Sequence, residues 1–147
     1  MIVHCLFEQS GTFKKEFKKL GYQAYDYDIL NDFNEMNYFY SLISKLVIVC
    51  LRNELKIIIE NPYHPDHILS QFWHLKPKVI DMDRTRRGDN FKKPTQYWFI
   101  NCEPKNNFVM EAVCVGNKKT IEHTHNKVER SLINPNYAER FIKEFIL

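Results

Sequence analysis

The chain has no Cys-x-x-Cys pair, no long apolar run, no strong charge of either sign and no internal repeat. The four cysteines, Cys5, Cys50, Cys102 and Cys114, stand apart, which excludes the thiol frameworks of small secreted domains and predicts reduced thiols. His64 and His67, like His123 and His125, have no Cys or carboxylate partner in a recognised ligand spacing, so no metal is expected. The longest apolar run, Leu46 to Leu51, is far shorter than the about 20 residues needed to cross a bilayer. With no leader-like segment at its start, the protein is expected in the cytoplasm, away from membranes. A formal charge of +3 falls short of the basic balance that identifies a nucleic-acid binder on charge alone. It permits DNA as a partner without predicting it.

What is present fits one soluble domain over residues 1–147, with 44% hydrophobic and 27% charged residues. The aromatic share, 14%, builds a core efficiently and also offers rings on which bases stack. Residues 2–6 read as a strand, and Phe13, Phe17 and Leu20 mark a helix that Thr12 caps and Gly21 stops. Tyr22 to Tyr27 is a second strand, so the opening unit is β-α-β and implies two parallel strands. From Met36 to Leu55 apolar residues recur every three or four positions, the longest helix, apolar round most of its circumference. Lys56 to Glu60, a continuous β-branched run, reads as a central parallel strand covered on both faces. Further on come strands near 78–81 and 96–101, a hairpin around Gly116-Asn117, and a closing helix from Asn134 or Pro135.

In alternating α/β chains, ligands bind beyond the carboxyl ends of the strands. After the first strand, Phe7 to Gly11 forms a loop leading into a helix N-terminus, and after the second stands Asp28, able to accept both hydroxyls of a ribose. Glu60 and Asn61 close a later strand. Arg84, Arg86, Arg87, Lys92 and Lys93 fall within ten residues around one glycine, a concentration of positive charge either solvated or suited to phosphates.

These segments resemble the cytosine-5 DNA methyltransferases, class I S-adenosylmethionine-dependent enzymes, and their phage-type relatives. Leu6-Phe7 and Gly11 match the family's opening motif, although Gln9 and Thr12 stand where other glycines are usual. The resemblance implies that Phe7 packs on the adenine of S-adenosylmethionine, with Gly11 in the cofactor loop and Asp28 on the ribose. Ile57 to Pro62 is similar to the Glu-Asn-Val or Glu-Asn-Pro motif, in which the Glu contacts N3 of a flipped cytosine and the Asn braces it. A carboxyl at a closed strand end can share a proton with that ring nitrogen. Residues 88–99 resemble the Gly-His-Pro, Lys, Thr, Leu-Trp-Leu segment of the phage-type relatives, which implies that Lys92, Lys93 and Thr95 hold DNA phosphates.

One family element is missing. Between the second strand and the long helix, members carry a third strand and a fourth ending in Pro-Cys, the nucleophile. None of the cysteines here follows a proline, and the chain passes from the cofactor half to the long helix near residues 34–37, about 70 residues short of the usual domain. The resemblance implies a Rossmann-like, mostly parallel sheet with flanking helices, lacking its third and fourth strands, and a C-terminal antiparallel part. In such a fold the first strand is expected to pair directly with the one ending at Glu60, with a homodimer covering the edge as the hazard. Three functions remain open: a methyltransferase-like protein binding S-adenosylmethionine or double-stranded DNA without catalysis, a working DNA methyltransferase, and a small phage-type DNA-binding or accessory module.

Overall fold

The computed structural model describes residues 2–6, 11–27, 36–66, 70–71, 73–106 and 132–147. Strand β1 (Ile2–Leu6), helix α1 (Thr12–Lys19) and strand β2 (Gln23–Tyr27) form the expected β-α-β unit, with β1 parallel to β2 from Ile2↔Gln23 to Leu6↔Tyr27. Gly11, not Thr12, occupies the N-cap of α1. It takes φ +61, a left-handed conformation that suits glycine. The Thr12 hydroxyl instead donates to the Ile133 carbonyl at 3.1 Å. At the other end Gly21, at φ +84, donates to the Lys18 carbonyl and Tyr22 to that of Phe17, each at 3.0 Å. That paired closure ends the helix at glycine, as the sequence predicts.

Helix α2 (Met36–Arg52) leads to β3 (Ile57–Pro62), β4 (Val79–Asp81) and β5 (Thr95–Ile100), and a last helix, α3 (Pro135–Phe141), continues as one π-helical turn over Ile142–Ile146. Asn134 caps α3 by accepting from the Asn136 N–H at 2.9 Å, with Pro135 at the first helical position.

The second sheet is antiparallel, in the order β3-β5-β4. Two expectations are corrected here. The run ending at Glu60 is not a central parallel strand: β3 pairs antiparallel with β5 and is only half-buried, whereas all six residues of β5 are buried. β5 takes the centre because its large side chains fill both faces with period two. Tyr97 and Phe99 pack with Val79, Tyr137, Phe141 and Phe145, and Trp98 and Ile100 with Val47 and Trp73. The sheet thus lies between α3 on one face and α2 on the other. Nor do β1 and β3 pair: among the described residues β1 is hydrogen-bonded to β2 alone. What joins the two sheets is α3, because the Phe141 ring stacks on Tyr97 at 4.1 Å between centroids and meets Phe13 of α1 edge-on at 6.0 Å. Side-chain packing has replaced a ladder. The hairpin expected around residues 116–117 lies outside the described residues. No described helix is long and apolar enough to cross a membrane.

Candidate functional site

The antiparallel register brings three strand ends to one rim. Asn61 is paired with Gln96, and both Pro62 and Asp81 with Thr95, so the carboxyl ends of β3 and β4 flank the start of β5. The Gln96 side chain, itself buried, donates to the Pro62 carbonyl at 3.1 Å and to Ser70 Oγ at 3.0 Å, which pins the end of β3. Glu60 stands directly across from Tyr97.

After β4 the backbone turns sharply. Asp81 Oδ1 accepts from the Asp83 N–H at 3.0 Å and Asp83 Oδ1 from the Thr85 N–H at 3.1 Å, which starts a 3-10 turn over Arg84–Arg87. Gly88 ends it at φ +91, and a Cβ there would sit 3.0 Å from the Asn136 Cβ. A side chain at this point would push the turn off α3.

The two arginines that bracket this turn differ in how they are held. Arg87 is satisfied: Nη1 donates to Asp81 Oδ2 at 3.1 Å, Nε to Glu144 Oε2 at 2.9 Å and Nη2 to Glu144 Oε1 at 2.8 Å. Arg84 is fully buried, its guanidinium 4.4 Å from the centroid of the Tyr137 ring and ion-paired with Asp89. That pair is a contact of charge, because the atoms are not aligned for a hydrogen bond, and Nε and Nη1 of Arg84 have no hydrogen-bond partner. Burial works against its charge, but Tyr97, Tyr137, Asp89 and Glu60 outweigh it and hold the guanidinium above its ordinary pKa. The Tyr97 and Tyr137 hydroxyls lie 2.8 Å apart, and Tyr137 donates to Asp81 Oδ2 at 3.2 Å. Both phenols are pushed well up, Tyr97 by burial and then by the Glu60 charge, Tyr137 by burial above all.

At the rim, Glu60 Oε1 and Asn61 Oδ1 are buried without a hydrogen-bond partner. Each such atom costs about 1–3 kcal/mol relative to a satisfied one. The two side chains point to opposite faces of the sheet: Glu60, across from Tyr97, shares the α3 face with Arg84, whereas Asn61, across from Gln96, lies on the other.

Of the residues singled out in the sequence, Glu60 and Arg84 share the α3 face of the sheet, and Asn61 lies on the other. Arg87 lies in the buried ion network and not at the surface, and the buried Thr95 gives its hydroxyl to the Lys93 carbonyl at 3.0 Å. Arg86, Lys92 and Lys93 are half-buried. Gly11 is buried beside Asp26, whose Oδ2 would be 2.9 Å from a Cβ at that glycine. Asp26 is bound by Lys14 at 2.5 Å, which holds its carboxyl below the usual range. Phe7 and Asp28 lie outside the described residues. Sequence reasoning missed Asp81, Asp89, Tyr97 and Tyr137. Asp81 carries the signal used for Glu60, an acid closing a β-branched strand, while the tyrosines resemble any core aromatic until the fold aligns them.

Burial raises the thiols of Cys50 and Cys102, and Cys5 is half-buried within β1. Among the described residues no group of three or more His, Cys, Asp or Glu side chains is placed to hold a metal ion. No known protein family, curated protein or solved structure matches the chain.

Proposed function

We propose that this chain is a DNA cytosine methyltransferase-like protein that binds DNA at the β3–β4 rim and S-adenosylmethionine at the β1–α1–β2 unit, and lacks cysteine-dependent methyl transfer. The observation that carries the proposal is the buried, hydrogen-bond-free Oε1 of Glu60 at a strand end, on the face that also holds a buried guanidinium with unused donors. A network that served stability alone would be cheaper with every atom paired. The edge of a cytosine, with an amino donor beside a ring nitrogen, supplies what the Glu60 carboxyl lacks.

The opening unit supports the cofactor half of the reading: two parallel strands, a crossover helix and a left-handed glycine at the helix N-terminus. Absence of catalysis follows from the thiols. None follows a proline, and burial keeps Cys50 and Cys102 protonated, which is the unreactive form. A second reading, a DNA-binding accessory module without cofactor, is favoured by one observation: Lys14 already neutralises Asp26, the acid beside the start of α1.

Two titrations test the proposal. Calorimetry with S-adenosylhomocysteine should show binding that Asp28→Ala abolishes; heat that does not change on that substitution, or no heat at all, leaves the accessory reading. Fluorescence anisotropy with a cytosine-containing duplex should show Glu60→Gln weakening binding about tenfold, the equivalent of one lost base contact. Equal affinity for wild type and Glu60→Gln would remove the rim from the account. A tritiated-methyl assay on the same duplex should show no transfer.

A further inference from the structure

A second feature does not involve Glu60. Between the arginine turn and the C-terminal helix is an open cleft of about 360 Å³ lined by Arg86, Arg87, Arg140, Lys143 and Glu144. Four of its five lining side chains are cations, drawn from two segments more than fifty positions apart in sequence. We infer that this cleft binds a phosphate group of a nucleic-acid backbone or of a small phosphorylated ligand.

The argument begins with what the charges are doing. Glu144, the cleft's one acid, has both oxygens engaged by Arg87, whose remaining nitrogen goes to Asp81. Its charge is therefore compensated from below. Lys143 is paired with Glu139 at 2.6 Å, an exposed contact of little worth that a stronger anion can displace. Arg140 donates to the Arg86 backbone carbonyl at 3.3 Å, a neutral acceptor, and has no carboxylate partner among the described residues. The Arg140 guanidinium is thus held against the arginine turn, and the acid whose field it shares, Glu139, is already bound by Lys143. Like charges brought together repel, and an oxyanion relieves that repulsion.

Geometry agrees. Arg140 and Lys143 are three apart on the helical segment, hence on one face, and Tyr137, Phe141 and Phe145 anchor that segment by the buried face. The Arg87–Glu144 bridge fixes the floor. A fixed floor flanked by cationic walls is an arrangement that suits a phosphate, for which guanidinium offers paired donors. The cleft is open along one side, so a polymer backbone can run through it as readily as a free phosphate can enter.

The inference deepens the DNA-binding reading above and rests on it only for where the phosphate comes from. The test uses Arg140→Gln/Lys143→Gln, both exposed positions, and the full chain. Its melting temperature should match that of the wild type, which keeps the comparison one of binding. In anisotropy with duplex DNA across a salt series, the slope of log affinity against log salt should fall by about 2 for two lost phosphate contacts. A slope unchanged, together with loss of binding to inorganic phosphate seen by phosphorus NMR, assigns the cleft to free phosphorylated ligands. If both DNA affinity and phosphate binding are unchanged, the inference is overturned, whatever Glu60→Gln does. Loss at the cleft with Glu60→Gln silent would sink the base-reading proposal and leave the cleft standing.

Discussion

The two sheets of this protein are built from similar material and held by different means. The β3-β5-β4 sheet has a wholly buried central strand, helices on both faces and charged groups that are buried and mostly paired. The β1-β2 sheet has two strands, and Ile2 and Tyr25 on it remain 59% and 48% exposed. Its Lys14–Asp26 pair is partly open to solvent. The difference teaches where substitutions should hurt: the β3-β5-β4 sheet gains its stability from desolvated contacts that fail abruptly, the β1-β2 sheet from contacts that solvent already shares.

The largest effect that separates them is expected at Arg87. Arg87→Leu leaves Asp81 and Glu144 without their cation and should cost about 3–5 kcal/mol, read as a lower urea midpoint. A loss under 1 kcal/mol would show that the network is no tighter than a surface pair. Next comes the alkaline limb. The folded pKa values of Tyr97 and Tyr137 are raised, so the neutral phenols contribute stability that is fully present below the ordinary phenol range, near pH ~10, and lost as pH rises beyond it. Absorbance at alkaline pH should show these two ionising only as the chain unfolds, and Tyr137→Phe should remove one late-titrating group.

A smaller effect is expected in the other sheet. Gly11→Ala introduces a Cβ at φ +61 within 2.9 Å of Asp26, and should cost about 1–2 kcal/mol from the left-handed backbone, with the Lys14 contact disturbed. Smallest is the acid limb. Asp26 is held below its ordinary pKa, so its contribution is present above the usual carboxylate range and lost as pH falls through the lowered value. Asp26→Asn should flatten that limb slightly while leaving neutral-pH stability nearly unchanged.

Much of the local structure was legible. The β-α-β opening, the Gly21 stop, the Asn134 cap and the long helix follow from periodicity and capping chemistry, which act within a few residues. Strand partnership was not. Three isoleucines before Glu60 carry no mark of which neighbour they will pair with, and β5 displaced β3 from the centre only because Tyr97 and Trp98 fill opposite faces at once. Thr12 left its capping role for a carbonyl 121 positions away, which no local rule foresees. The rim residues Glu60 and Asn61 were legible as strand-end groups, while the split between Arg84 and Arg87 depends on α3 arriving above the turn.

That late arrival has a consequence for synthesis. Until residues 137–145 emerge, the Tyr97–Phe99 face of the central strand lacks the aromatic rings of Tyr137, Phe141 and Phe145 that pack on it, and the β1-β2 sheet lacks the helix that ties it to the other. A nascent or prematurely ended chain would carry a sticky aromatic surface, and quality-control proteases would meet it before the finished core could form.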